Sequence, residues 1–210
     1  MTTRKERQAR TRELLMDSAA AVASRRGIER ASLDEVAERA GFTKGAVYAN
    51  FANKDQLFLA MLDAHFDARL AELDRILSTE ADPDEQAREA AEGMMRMLAA
   101  QPEWHRLFFE FALHAARNEG FRTQLVERYR SLRGRLAELL ARRAERLGIE
   151  PVVPPDQIAA MTFAMANGVA MERLLEPEAV PDTLMGEMMA TFFAGLRARA
   201  GAPQPPAGPS

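Results

Sequence analysis

Hydrophobic residues recur every three or four positions along most of this 210-residue chain, which is the spacing of one face of an α-helix. Strict alternation of apolar and polar residues, which marks a half-buried strand, is nearly absent. The pattern predicts an all-α protein with about nine helices. Apart from two short helices within 32–54, the predicted helices span about 5–26, 54–78, 83–100, 102–117, 119–147, 156–176 and 181–199.

Residues 32–54 have the pattern of two short helices joined by a tight turn. Ser32 can cap the first helix, and Glu35 follows at the spacing of a capping box. Gly41 supplies the left-handed residue that ends this helix, and the hydroxyl of Thr43 can cap the next one. The first helix should bury a stripe at helical spacing that consists of Leu33, Val36, Ala37 and Ala40.

The second short helix has a small and partly cationic outer face. Val47 and Phe51 are four residues apart and should both face the core. The side chains left outside are those of Lys44, Gly45, Ala46, Tyr48 and Asn50. A helix with this kind of face fits the major groove of DNA, because its backbone can approach the base edges closely.

This segment resembles the helix-turn-helix of the TetR family of bacterial repressors over roughly residues 8–56. The resemblance implies a three-helix DNA-binding head over residues 1–53 and a six-helix ligand-binding and dimerisation body over residues 54–200. We expect the tail, residues 201–210, to be disordered because it cannot bury apolar surface. The residues that carry the resemblance, in the family's order and spacing, are Gly41, Thr43, Lys44, Gly45, Tyr48, Phe51, Asn53 and Lys54.

The resemblance also implies which residues meet double-stranded DNA. Many family members have an aromatic residue and a histidine where this chain has Ala49 and Asn50; Asn50 can still donate to a phosphate, whereas Ala49 cannot. A basic amino-terminal arm of the kind found here often enters a minor groove or tracks phosphates. The expected DNA-binding residues are Arg4, Lys5 and Arg7 in the arm, then Thr43, Lys44, Gly45, Ala46, Tyr48, Asn50 and Lys54.

The distribution of charge agrees with a DNA-binding head. The whole chain has a net charge of −3. Residues 1–54 hold eleven Lys and Arg against seven Asp and Glu, a net charge of +4, and the remainder carries −7. A basic head on an acidic body suits a protein whose head alone contacts phosphate.

Missing residue types and segments narrow the class of protein further. The chain has no cysteine, which excludes disulfides, thiolate metal sites and cysteine nucleophiles. It has no amino-terminal apolar run of the signal-peptide type, and no stretch of ~20 apolar residues that could span a membrane. We expect a cytoplasmic, nucleoid-associated protein that needs neither a metal nor a cofactor and does not bind a membrane.

A methionine- and aromatic-rich stretch over residues 94–114 is the candidate effector site. Its last helix is apolar almost all round, so it should be central, either as plain core or as the wall of a cavity. The resemblance favours a cavity, since these repressors usually bind a small molecule among the first body helices. The few charges predict an apolar or amphipathic ligand, and the expected lining is Phe58, Met61, Leu62, Phe66, Met94, Met97, Leu98, Trp104, His105, Phe108, Phe111 and His114.

The last two helices are candidates for a homodimer interface. Small residues such as Gly168 would let a partner helix approach closely, although the same pattern fits an ordinary core. Dimerisation also follows from the head, because one short helix buries too little surface for a specific site and two heads could read a pseudo-palindrome. The expected interface residues are Ile158, Met161, Met165, Gly168, Leu184, Met188, Phe192 and Leu196.

Two other classes of function fit parts of the sequence. The chain has only three histidines that could serve an enzyme. Glu110 and His114 can share a helix face, but the repeated Glu-x-x-His motif that a di-iron bundle needs is not present. No zinc motif, phosphate loop or nucleophile elbow is present, so we expect no enzyme. A ligand-independent DNA-binding regulator, including an activator, is the alternative that stays open, because a filled core and a cavity have the same sequence pattern.

Overall fold

The computed structural model describes residues 3–80, 82–100 and 102–201, except for the side chains of residues 84, 98, 102, 103, 105 and 201. Within these ranges the chain forms nine α-helices, one 3-10 helix and no β-strand, which confirms the all-α prediction. The helices are α1 (Arg4–Arg26), α2 (Leu33–Ala40), α3 (Lys44–Tyr48), α4 (Lys54–Leu77), α5 (Pro83–Ala100), α6 (Pro102–Arg117), α7 (Glu119–Arg146), α8 (Pro155–Leu175) and α9 (Leu184–Gly201), with the 3-10 helix at Pro177–Ala179. Residues 202–210 of the tail lie outside the described residues.

Side-chain caps begin the two short helices where the sequence predicts. The Ser32 hydroxyl accepts a hydrogen bond from the Glu35 amide at 3.2 Å. The Thr43 hydroxyl accepts one from the Ala46 amide, also at 3.2 Å. The second half of the predicted capping box does not form, because the Glu35 carboxylate instead pairs with Arg26 at 2.8 Å.

The amino-terminal cations lie on a helix rather than on an extended arm. Thr3 and Glu6 form a reciprocal capping box, with the Thr3 amide donating to the Glu6 carboxylate at 2.7 Å. α1 therefore begins at Arg4, and Arg4, Lys5 and Arg7 are exposed on its first turns. A capped helix is too wide to enter a minor groove, and contact of these cations with DNA phosphates stays a prediction.

The largest difference from the predicted helix bounds lies before α9. The sequence predicts a start at Pro181, whereas α9 begins at Leu184. Pro177 opens the 3-10 helix, and the Leu184 amide donates to the Pro181 carbonyl at 3.0 Å within a turn over residues 181–183. Two prolines in five residues prevent a continuous helix here, because each lacks an amide donor and disfavours helical backbone in the residue before it.

The chain divides into two compact units. The first comprises residues 1–69 and 98–130, and the second comprises residues 70–97 and 131–210. In the first unit α1 packs against α2 and α6, and α2 packs against α3. One hydrophobic core joins the helix-turn-helix to α4 and α6, and it includes Leu15, Val22, Val47, Phe51, Leu62 and Phe111. The head therefore has no separate core, and the boundary at residue 53 stays a prediction.

A carboxylate on α6 accepts a hydrogen bond from the turn that follows α1. Gly27 has a φ of 77°, which leaves the next amide, that of Ile28, without a helical partner. The Glu110 carboxylate accepts a hydrogen bond from this amide at 2.6 Å. Nearby, Arg117 lies 3.1 Å from Glu29. The turn and α6 are thus held together by one partly buried contact and one exposed contact.

In the second unit, α8 packs against α9 and against the 3-10 helix. Arg143 on α7 is almost fully buried, and its guanidinium donates to the Gln86 side-chain oxygen at 2.8 Å and to the Pro83 carbonyl at 2.7 Å. Gln86 in turn donates to the Thr79 carbonyl at 2.8 Å. These hydrogen bonds from a buried cation to the start of α5 fix α7 against α5.

Replacing Glu110 by alanine should lower the free energy of unfolding by about 1–3 kcal/mol, because the Ile28 amide would lose its acceptor in a partly buried site. Glu110→Gln should cost less, since its side-chain oxygen can still accept. Urea denaturation measures both effects. Glu127→Ala, at an exposed position of α7, is the matched control and should stay within about 0.5 kcal/mol of the parent. Equal losses for Glu110→Ala and Glu127→Ala would contradict the role of this contact.

Candidate functional site

The short helix α3 is fixed by its inner face and by its cap. Val47 is fully buried, and Phe51, which follows the helix, is 2% exposed. The Thr43 cap satisfies one of the free amides of the first turn. Because a five-residue helix is not stable alone in water, these contacts determine which side chains face outward.

The outer face of α3 is open to solvent. Lys44, Gly45 and Tyr48 are exposed, with Tyr48 at 56%, and Ala46 is half-buried. A Cβ atom added to Gly45 would lie 3.8 Å from the Thr43 hydroxyl and, beyond its own helix backbone and chain neighbours, would meet no other described atom within 4 Å. The backbone at Gly45 is therefore free to approach a large ligand closely, and a methyl group there would not disturb the fold.

Lys44 has an acidic partner on the preceding helix. Its Nζ atom donates to the Asp34 carboxylate at 2.5 Å, and both side chains are largely exposed. This hydrogen bond, with the attraction between the two charges, raises the pKa of the Lys44 amine above its ordinary value. The Lys44 amine is therefore protonated and positively charged at neutral pH. Its contact with Asp34 was not predicted from the sequence.

Two other residues expected at DNA have intramolecular partners. The Asn50 side-chain amide donates to the Ala46 carbonyl at 2.8 Å, and its oxygen is buried without a hydrogen-bond partner among the described residues. Lys54 donates to the Glu29 carbonyl at 2.8 Å. Both residues are half-buried, and their contacts with phosphate stay predictions.

Arg12 is a structural residue of the head that sequence reasoning missed. Its guanidinium donates to the Asn50 carbonyl at 2.7 Å and lies over the Phe51 ring, 4.3 Å from the centroid. The cation therefore supports the segment that follows α3 through a hydrogen bond and a cation–π contact. The only sequence signal was the position of Arg12 on the predicted first helix.

The side chains expected to line an effector site separate into two groups. Four of them are buried in the core. Two of these, Phe58 and Phe111, pack in a T-shaped arrangement with ring centroids 6.1 Å apart, and neither ring is accessible to solvent. The rest of the described set are half-buried. The core group is Phe58, Met61, Leu62 and Phe111, and the half-buried group is Phe66, Met94, Met97, Trp104, Phe108 and His114. The side chains of Leu98 and His105 lie outside the described residues.

An aromatic cluster, formed by His65, Phe66, Trp104, Phe108 and Tyr129, lies in the first unit. The His65 ring stacks on Trp104 with centroids 4.3 Å apart and planes 15° from parallel. Tyr129 contacts both Phe66 and Phe108, with centroids 5.7 Å apart in each pair. All five side chains are half-buried. The sequence did not predict His65 and Tyr129 as members of this cluster, because both lie outside the aromatic-rich stretch at residues 94–114.

His114 lies away from this cluster. Its Nε2 atom is 3.4 Å from an Asp55 carboxylate oxygen and has no hydrogen-bond partner in the part of the chain that the structure describes. Its ring edge packs on Phe121 with centroids 4.7 Å apart. The contacts with Asp55 and Phe121 place it at the start of α4 and α7. A role for His114 as a polar contact in the effector site stays a prediction.

The helix α8 presents apolar side chains to solvent. Met161 is 42% exposed and Leu175 is 72% exposed, and Ala164 and Gly168 are also exposed between them. These residues follow the three- and four-residue spacing of one helix face. Of the expected interface residues, Ile158 is buried, Met161 and Gly168 are exposed, and the half-buried ones are Met165, Leu184, Met188, Phe192 and Leu196.

Neither a membrane-spanning helix nor a metal-binding group is found in the part of the chain that the structure describes. No helix there is both long and apolar enough to cross a bilayer. Among the same residues, no three His, Cys, Asp or Glu side chains form a group that could hold a metal ion.

Family models match both parts of the chain. The model of bacterial regulatory proteins of the tetR family matches residues 15–61, which include α2 and α3. The model of the carboxyl-terminal part of BetI-type transcriptional repressors matches residues 83–198, more than half of the chain. The chain therefore belongs to the TetR family of bacterial regulatory proteins. It is a DNA-binding transcriptional regulator and not an enzyme.

Individual relatives agree with this assignment. The uncharacterized HTH-type transcriptional regulator YfiR of Bacillus subtilis is 27% identical over 181 residues, which span 85% of this chain and 87% of that protein. The transcriptional activator FasR of Mycolicibacterium smegmatis is 34% identical over 96 residues, 46% of this chain and 44% of that protein. The solved structure of a SmeT–triclosan complex covers 95% of this chain and 98% of its own, with a TM-score of 0.70 and 24% identity, and so shares the fold.

Replacing Gly45 by alanine should weaken DNA binding while leaving the fold intact. The space around Gly45 accepts a methyl group in the free protein, and alanine favours a helix by up to about 1 kcal/mol. Against a groove, the same methyl should disturb at least one base contact and weaken binding about tenfold. Thermal unfolding and a mobility-shift assay measure the two effects. Gly134→Ala, at an open position of α7, is the matched control, and equal binding by both variants would contradict the prediction.

Proposed function

We propose that this regulator is a homodimeric repressor, which binds a pseudo-palindromic operator and is released by an apolar or amphipathic small molecule. The observation that carries the DNA-binding part is the exposed face of α3, which combines a cation, an open glycine and an exposed tyrosine. DNA binding would keep the protein with the cytoplasmic nucleoid.

The residues of the head divide into base-reading and phosphate-holding groups. Gly45 and Ala46 let the helix approach base edges, and the ring of Tyr48 can contact a thymine methyl group. Around this helix, the Thr43 hydroxyl and the cations Arg4, Lys5 and Arg7 would hold phosphates and set the register. Lys54 and Asn50 would join them only by leaving or sharing their present acceptors.

A homodimer would pair the exposed apolar face of α8 with the same face of a second copy. Burial of Met161, Gly168 and Leu175 would remove apolar surface from water, and small residues between them would permit close packing. Two heads related by a two-fold axis would then meet half-sites one helical turn apart, about 34–36 Å.

The effector would bind at the aromatic cluster and act through α6. Trp104 and Phe108 belong to this helix, which also carries Glu110, the acceptor that holds the Ile28 amide of the head. A ligand that changes the position of α6 would change the support of the turn before α2. It would then favour head positions that no longer fit the operator, with a coupling free energy of about 1–3 kcal/mol.

An activator is the second candidate, and one observation favours it. FasR, which is similar over 96 residues, is named as an activator. Both functions need the same head and differ in where the operator lies relative to the promoter. A reporter gene behind the bound site decides between them, since deletion of the regulator raises expression under a repressor and lowers it under an activator.

Genome-wide recovery of bound DNA tests the proposed function. We expect enriched fragments to share a pseudo-palindrome, and the purified protein to shift a duplex with this sequence in preference to a mixed-sequence duplex of equal length. A protein that recovers no common sequence, or shifts both duplexes equally, would not be an operator-binding repressor.

Replacing Leu175 by glutamate should convert the dimer to a monomer and abolish operator binding. A charge within an apolar interface would have to be desolvated without a partner. Sedimentation and mobility-shift assays measure the two losses together. Leu113→Glu places the same charge at a 60% exposed position of α6 and should leave a DNA-binding dimer. A Leu175→Glu variant that remains dimeric would rule out this face of α8 as the interface.

Ligand binding at the aromatic cluster should change the emission of Trp104, which is the only tryptophan of the chain. The probes are a panel of apolar and amphipathic molecules that begins with triclosan, and the active ones should also release operator DNA. Phe108→Ala should weaken the binding of those molecules about tenfold, because the ligand loses apolar contact. Leu113→Ala, on an exposed part of α6, should not. Release of DNA with equal potency from both variants would place the effector elsewhere.

A further inference from the structure

Arg12 lies where α1 meets the segment that follows α3. Its guanidinium donates to the Asn50 carbonyl at 2.7 Å and covers the Phe51 ring, 4.3 Å from the centroid. The Phe51 ring is buried, whereas Arg12 is half-buried, so part of the Arg12 side chain remains in contact with water. A guanidinium has five N–H donors, and the Asn50 carbonyl needs only one of them. The others are able to serve a second acceptor.

Both of the described partners of Arg12 are uncharged. The acid that follows it in the chain, Glu13, pairs instead with Arg10 at 3.2 Å, and the cation of α3, Lys44, pairs with Asp34 at 2.5 Å. In the part of the chain that the structure describes, no carboxylate forms an ion pair with Arg12. A positive charge is therefore held in a fixed position without an acid to neutralise it, as a binding site for an anion requires.

We propose that Arg12 binds a DNA phosphate beside the carboxyl-terminal end of α3, while the Asn50 carbonyl and the Phe51 ring hold its guanidinium in position. This inference rests on the proposed entry of α3 into the major groove, and adds one backbone contact to it. Arginine suits this task better than lysine, because its planar fork can donate to a carbonyl and to a phosphate at the same time.

The position of Arg12 fits the edge of the groove. The five residues of α3 make a helix about 7.5 Å long, and the major groove is about 12 Å wide and lies between two phosphate strands. A cation beside one end of α3 is therefore within reach of a strand when the helix lies in the groove. On α1, Arg12 follows the exposed Lys5 by about two helical turns, so both cations lie on one face of that helix. Lys5 would extend the same row of phosphate contacts.

The two neutral contacts also favour phosphate binding through entropy. A long side chain that is free in solution loses rotamer freedom when it is immobilised against a partner. The guanidinium of Arg12 is already oriented by a hydrogen bond and by an aromatic ring before DNA arrives. Less freedom is therefore lost on binding than by an unsupported surface arginine.

A purely structural role for Arg12 makes a different prediction. A cation near the end of a helix stabilises its last turn, and the contact with the ring adds to this effect. Loss of these contacts would lower the melting temperature and disturb the end of α3, which would weaken binding to the operator. The number of phosphates that the protein neutralises would not change, so the salt dependence of binding would stay the same.

The test measures DNA affinity across a range of salt concentrations by fluorescence anisotropy. Its probes are a mixed-sequence duplex and the operator duplex recovered from the genome, of equal length. Arg12→Met keeps an apolar stem on the Phe51 ring and removes the charge. For each head that engages DNA, it should flatten the slope of log K against log salt by about 0.9, the value for one phosphate contact. The affinity for both duplexes should fall about threefold to tenfold at moderate salt.

Arg25 provides the matched control. It is an exposed arginine at the other end of α1, and its guanidinium also donates to a carbonyl, that of Ala21, at 3.2 Å. Arg25→Met removes the same charge from the head and should leave the slope unchanged. Arg12→Lys keeps a cation at the proposed site and should restore most of the slope.

The comparison of slopes decides the role of Arg12. A slope for Arg12→Met that equals that of Arg25→Met would overturn it, and so would an equal loss of slope in Arg12→Met and Arg12→Lys. Arg12→Gln, which is neutral and still has an N–H donor, should match Arg12→Met and replaces it if the methionine variant does not fold. If the parent protein does not prefer the operator, it is the proposed function that fails, and the slopes on mixed-sequence DNA still decide whether Arg12 binds a phosphate.

Discussion

The burial of Val47 and Phe51 is the constraint on which the rest of the head depends. Five residues form too few hydrogen bonds to hold a helix in water, so α3 exists because its inner face is part of a larger core. That attachment fixes the direction of the opposite face. The exposed side chains of Lys44 and Tyr48 and the open backbone of Gly45 follow from it, as does the suitability of this face for a groove.

The same core extends beyond the head, and this continuity gives a physical route for regulation. Phe58 on α4 and Phe111 on α6 belong to the cluster that also contains Val47. One turn from Phe111, α6 carries Phe108 of the aromatic cluster, and Glu110 beside it holds the turn after α1. Side chains at this density do not shift independently, so a displacement of α6 cannot leave its contacts with the head unchanged.

Local patterns in the sequence were sufficient for the helices and for their caps. Ser32 and Thr43 cap where predicted, because capping depends on residues three positions apart. Contacts between distant positions could not be predicted this way, and these include Asp34 with Lys44, His65 with Trp104, and Glu110 with Ile28. Apolar spacing also could not separate the buried Phe111 from the half-buried Phe108, since both positions require a large hydrophobic residue.

A crystal structure of the protein with its recovered operator would show directly which face of the head contacts DNA. We expect the outer face of Lys44–Tyr48 to lie in the major groove, with the Gly45 backbone against base edges. Two copies should place these helices in half-sites one helical turn apart. A complex in which this face points to solvent while another surface contacts the DNA would contradict the role of α3 as the DNA-reading helix.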